Sequence, residues 1–314
     1  MSVAAGFQQP VEGDWPVTNC YIDAWLPILT HWRLDPIAGL GVTVALDYEA
    51  DQFTFFKYLH DDLELLYGIV VGELTIYCSL EEQIAEQLRA GRLVLVEVDG
   101  FYLPDTRATS YRTQHAKTTI GVDSIDVEQR QLGYFHNGGH CQLNGADYAG
   151  VFQRLPEQRR DDALPPYVEL VKQRFPPLTG SALTKAAVNL LRRHLARRPV
   201  ANPIQCYRRD FPRHMQWLLA EPQRFHEYAF ATFRQLGANF QMLASHLDWL
   251  QQRGVNGLRD AREAAALISA NAKATQFKVA RIAARGRFDP CDHLFDRLSN
   301  GYQTVIAVLE RAVP

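Results

Sequence analysis

Cys20 is the residue in this chain whose type and setting most suggest covalent chemistry. It stands in WPVTNCYIDAWLPILTHW, at the predicted start of an amphipathic helix. Free backbone N–H groups and the helix dipole there would favour a thiolate and could hold an oxyanion. A thiol nucleophile also needs a base, and His115 directly precedes the strand-like run KTTIGVDSID. A second run, RQLGYFHN, follows. If the two pair as an antiparallel hairpin, Asn137 would come beside His115 and fix its tautomer, leaving the other ring nitrogen for Cys20. His136 and Asp99 compete for that orienting role. Asn19, Gln8 and Gln9 are possible oxyanion donors, with Asn19 favoured by adjacency.

In DGFYLPDT, Asp99, Tyr102 and Asp105 either line a cleft and bind a substrate amino group or form a turn fixed by Pro104. Trp15 is assigned to a substrate-binding wall, as an alternative to core packing that it shares with Trp25 and Trp32. A metal reading would take His136, His140 and Cys141 from FHNGGHC, with His115. The Gly138-Gly139 pair makes a turn, not a zinc-binding helix, the expectation there.

Two differently patterned halves must position these residues. Residues 1–155 show strand-like runs rich in Val, Ile, Thr and aromatics: GVTVAL, GIVVGEL, RLVLVEVDGFYL, KTTIGVDSID and RQLGYFHN. Helices are expected near 21–32, 59–67 and 80–90, the last stopped by Gly91. The predicted class is α+β with a mostly antiparallel sheet. Residues 156–314 read as helix almost throughout, as in ALTKAAVNLLRRHLARR, giving an all-α second domain.

Composition narrows the function classes. Of 314 residues, 47% are hydrophobic and 22% charged, as in soluble globular proteins, so disorder and fibrous repeats are disfavoured. The five cysteines do not form a secreted disulfide framework. The opening MSVAAGFQQPVEGDW lacks the regions of a signal peptide, and no run approaches the roughly 18 apolar residues of a membrane span. A cytoplasmic protein without a membrane partner is expected. The net charge of −2 hides an asymmetry: 9 Lys and Arg against 21 Asp and Glu in residues 1–155, and 24 against 14 thereafter. The basic half lacks a nucleic-acid recognition motif, so no such partner is expected. Its Arg192, Arg193, Arg197, Arg198, Arg208 and Arg209 are candidates for docking an acidic protein or a phosphate.

The segments NCYIDAWLPILTHWRLDP, DQFTFFKYLHDDLELLYGI, VEVDGFYLPDTRATSYRTQHAKTTI and LGYFHNGGHCQL resemble the bacterial domain of unknown function 1839 family. More distantly, the order of Cys, VDGFYLP strand and His is similar to the papain-like N-terminal domain of acyltransferases typified by butirosin biosynthesis protein H. The resemblance implies a papain-like fold with Cys20 as nucleophile, His115 as base and Asn137 as orienting residue. It also implies transfer of an aminoacyl group from the phosphopantetheine arm of a carrier protein to an amine, with no other cofactor. An amino acid:[carrier protein] ligase would be a companion. The Cys-Gly-Ser-Cys context of papain is absent here. A cysteine peptidase or amidase, and a non-catalytic carrier-binding module, are the alternatives.

Overall fold

The computed structural model describes residues 18–158 and 164–313. Its elements, in chain order, begin with helix α1 (Cys20–His31), α2 (His60–Tyr67), strand β1 (Ile69–Glu73), α3 (Leu80–Arg89), β2 (Leu93–Asp99), β3 (Lys117–Asp126), β4 (Gln131–His136), β5 (Gly139–Asn144), α4 (Gly145–Val151) and β6 (Val168–Gln173). Six further helices follow: α5 (Gly180–Ala196), α6 (Pro203–Ala220), α7 (Phe225–Ala229), α8 (Gln235–Gln252), α9 (Arg259–Arg285) and α10 (Asp292–Ala312). The molecule is α+β, with the sheet in the N-terminal part and helices dominating the C-terminal part.

The described residues divide into two compact units. One holds Asn19–Pro36 and Leu63–Leu178; the other holds Ile37–Asp62 and the chain from Thr179 onward. A boundary at 155 separates β6 from the other strands, whereas the structure seats β6 between β1 and β2. The six strands run in the order β1-β6-β2-β3-β4-β5, every neighbouring pair antiparallel.

Both faces of this sheet are covered, so β2 reads as the unbroken apolar run LVLV rather than as an alternation. Val94, Val96, Val98, Ile120, Val122 and Tyr134 build one core with Ile84 of α3 and Tyr148 of α4. The opposite face receives α1. Gly121 makes that approach possible, because a Cβ there would lie 2.6 Å from Cδ1 of Ile28. The β4–β5 hairpin turns on Asn137 (φ 49°) and Gly138 (φ 74°), the left-handed pair that a two-residue hairpin requires. Sequence reading saw that turn but not β5 or β6.

In the second unit, GVTVAL is not a strand. Pro36–Ala45 forms a 3₁₀ helix. Its carbonyls find partners on α8, where His246 Nδ1 donates to Ile37 O (2.8 Å) and Asn239 Nδ2 donates to Thr43 O (2.8 Å). Local β-propensity yields to those tertiary hydrogen bonds. Asp62, 1% exposed, accepts from Arg193 and from His194 (2.6 Å), anchoring α5. Among the described residues, no helix is long and apolar enough to cross a membrane.

Candidate functional site

The end of β2 carries the most organised ionisable pair open to solvent. Asp99 accepts from the backbone N–H groups of Phe101 (3.0 Å) and Ala116 (3.2 Å) through Oδ1. Its other oxygen meets His115 Nδ1 at 2.5 Å. The sequence places a carboxylate where the strand gives way to a Gly100 turn, and the turn's orphan N–H groups fix it. The imidazole stacks on Phe101 with centroids 4.4 Å apart and planes 15° from parallel. Arg112 lies over the Phe101 and Tyr102 rings and pairs with Asp147. Burial first, then the Asp99 charge, raises the Tyr102 phenol above its usual pKa, keeping it neutral.

His115 opens onto a cleft of ≈ 740 Å³. The wall is mainly apolar, from Ile76, Leu80, Val98, Val151, Phe152 and Pro165, with Glu97, Lys117, Gln153 and Gln158 as polar contributors. With Nδ1–H donated to Asp99, Nε2 is left as a proton acceptor, while the side chain is 69% exposed. An Asp-oriented imidazole on an apolar cleft can act as a general base.

Cys20 lies elsewhere. It is the first residue of α1, half-buried, and its Sγ approaches Oγ1 of Thr119 on β3 at 3.9 Å. It forms no hydrogen bond with His115 and does not line the cleft. The predicted hairpin exists as β3 and β4, but its register pairs Gly121 with Phe135. Continuing that register brings Asn137 level with Thr119, four residues from His115. Asn137 therefore does not orient His115; Asp99, its competitor, does. Asn19 serves as N-cap, its Oδ1 accepting from Ile22 N at 3.0 Å. Trp15, Gln8 and Gln9 lie outside the described residues.

Asp105 is a structural hub rather than a cleft residue. Its oxygens accept from Tyr134 OH (2.6 Å), His136 Nδ1 (2.6 Å) and Asn137 Nδ2 (2.9 Å), and its side chain is 9% exposed. Burial alone would raise its pKa; the hydrogen bonds and charge of His136, with the Tyr134 hydroxyl, outweigh that and hold it below the usual value. His136 uses its other nitrogen on Thr118 (2.7 Å). His140 turns to Asp123 (2.9 Å), while burial pushes the Cys141 thiol up to about 12. His136 and His140 are thus committed to different carboxylates, and the described residues contain no cluster of three His, Cys, Asp or Glu able to hold a metal.

The arginines singled out for docking are mostly engaged internally. Arg193 pairs with Asp62, Arg198 with Glu310, Arg208 with Asp292 (2.6 Å) and Asp296 (2.7 Å), and Arg209 with Asp210 (3.5 Å). Arg192 donates to Asn189 (3.2 Å); it and Arg197 are exposed and have no acidic partner among the described residues. Sequence reading missed Phe101, on which the His115 ring stacks, and Arg112, which lies over the same Phe101 ring. An aromatic directly after the Asp-Gly turn was the available signal.

No curated protein matches the chain significantly. The model of the DUF1839 N-terminal domain matches residues 8–173 and that of the DUF1839 C-terminal domain matches residues 180–311. Those two segments meet between β6 and α5, where the compact units also divide, and with both models matched in order the chain belongs to the DUF1839 family.

Proposed function

We propose that the N-terminal unit catalyses acyl transfer with His115 as general base, moving an aminoacyl group directly from a carrier-bound phosphopantetheine thioester to an amine. The observation that carries this reading is the Asp99–His115 pair stacked on Phe101 at the mouth of a mainly apolar cleft with no thiol among its described lining residues. The thioester donor and the carrier protein rest on the resemblance of the Cys20-to-His115 region to carrier-dependent acyltransferases. A papain-like relay would need an imidazole within reach of Cys20 Sγ, whose side-chain contact among the described residues is the Thr119 hydroxyl at 3.9 Å.

In the proposed step, Nε2 of His115 takes a proton from the acceptor amine as its nitrogen bonds to the thioester carbon. The C–S bond then breaks, and the imidazolium returns the proton to the departing thiolate. Asp99 keeps the ring in the required tautomer and stabilises the imidazolium.

The test incubates the protein with an aminoacyl thioester and a panel of amines, with amide measured by mass spectrometry. His115→Ala should lower the rate by roughly 10²-fold or more, and Cys20→Ala should leave it nearly unchanged with no acyl adduct in the intact mass. An adduct on Cys20, or loss of activity in Cys20→Ala, overturns direct transfer. Cleavage of simple peptides would favour a peptidase, and thioester-carrier binding without turnover a docking module.

A further inference from the structure

Residues 179–314 contain 20 Lys and Arg against 10 Asp and Glu, and most of the arginines described above have carboxylate partners. A distinct group does not. Arg281 and Arg285 lie one turn apart near the end of α9, and Arg287 follows in the turn after Gly286. With Lys278 they line one cleft of ≈ 480 Å³, closed by Phe288 and Pro290. Its carboxylate, Asp289, is occupied by Lys278 at 2.5 Å. Among the described residues, none of the three arginines has an acidic partner within ion-pair distance, so the cleft carries three uncompensated guanidinium groups. Favourable placement at a helix C-terminus accounts for Arg285 in the last turn, but not for Arg287 beyond it.

Arg281 also borders a second, shallow groove of ≈ 580 Å³ formed by Ala274, Phe277, Ala280 and Ala284. Phe277 is 55% exposed and Phe288 44%. An anion-binding cleft therefore adjoins an apolar strip, with one arginine common to both.

We propose that the α9 cleft binds a phosphate ester, its phosphoryl group held by Arg281, Arg285 and Arg287 and its apolar body lying along Ala274–Phe277–Ala280–Ala284. Guanidinium forks match phosphate oxygens in pairs, and among the described residues Arg281 is the polar side chain that the groove offers to the rest of the ligand. This site stands on residues apart from His115 and does not depend on the reading of that cleft.

The test is calorimetric titration of the full-length protein at low salt with inorganic phosphate, phenyl phosphate and polyglutamate. Phenyl phosphate should bind severalfold more tightly than inorganic phosphate, and Arg281→Ala/Arg285→Ala should weaken it by at least about 10-fold. Phe277→Ala should erase the advantage of phenyl phosphate over phosphate. All these positions are exposed; should the double variant fail to fold, Arg287→Ala in the turn carries the same expectation of weakened binding. No binding of either phosphate at millimolar concentration, unchanged affinity in the arginine variants, or displacement of phenyl phosphate by polyglutamate at equal charge overturns the proposal, the last in favour of an acidic polypeptide.

Discussion

Replacing Asp105 by Ala should loosen β3 and β4 selectively. The carboxylate satisfies Tyr134 OH, His136 Nδ1 and Asn137 Nδ2, and Tyr134 and His136 are 0% and 2% exposed. Each buried donor left unpartnered costs about 1–2 kcal/mol and the half-buried Asn137 less, giving about 3–4 kcal/mol in all. Asp105→Asn should cost only about 1 kcal/mol. Its carbonyl still accepts from Tyr134, and His136 can shift its proton to the nitrogen facing Thr118, whose hydroxyl then accepts. Amide hydrogen exchange read by mass spectrometry is suitable, because peptides from α8 and α9 serve as an internal control. Exchange over β3 and β4 should quicken roughly 10²–10³-fold in the Ala variant at neutral pH. The folded-state pKa of Asp105 is depressed, so its stabilisation is present above the unfolded value of about 3.9 and lost as pH falls through the lower folded value. The gap between wild type and Asp105→Ala should accordingly close in acid. Exchange within threefold of wild type at neutral pH would refute the hub, and unaltered exchange with lost ligand binding would return Asp105 to a binding role.

Three further outcomes are expected. Burial pushes the thiols of Cys141 and Cys291 up to about 12, so brief alkylation of native protein at neutral pH should modify exposed Cys78 and spare those two; equal labelling by mass spectrometry contradicts the fold. Gly150→Ala would place a Cβ 2.1–2.5 Å from the Tyr102 ring, which also lines the His115 cleft, and should destabilise by about 2–3 kcal/mol in urea unfolding; a change below about 0.5 kcal/mol would show that the ring is not fixed there. The hydrogen bond to Asp123 raises the His140 pKa, so this pair stabilises the fold below the unfolded pKa of about 6.5 and ceases to as pH rises through the folded value. Asp123→Asn should therefore cost at most about 1 kcal/mol at pH 6 and nothing at pH 9, a loss at pH 9 alone being the contrary result.

The local signals were legible where backbone chemistry dominates. Asn19 caps α1, Ser79 caps α3 with Gly91 just beyond its end, and Asn137-Gly138 turns a hairpin, because these residues supply an acceptor or a left-handed φ within their own few positions. The strand β6 was hidden because VELVKQ is too short to declare a period and lies beside helical sequence; only pairing with β1 and β2 makes it a strand. GVTVAL failed in the opposite sense, since its β-branched residues were satisfied by hydrogen bonds from α8.

The candidate site divides along the same line. The sequence by itself determined which groups exist: an ionisable histidine before β3, a carboxylate at the Asp-Gly turn, a thiol at a helix start and an excess of arginine after residue 156. Tertiary structure alone decided the partners, because register and loop closure set distances that spacing does not encode. It gave His115 to Asp99, Asn137 to Asp105 and Cys20 to Thr119, and it neutralised several expected docking arginines while leaving Arg281, Arg285 and Arg287 uncompensated in one cleft.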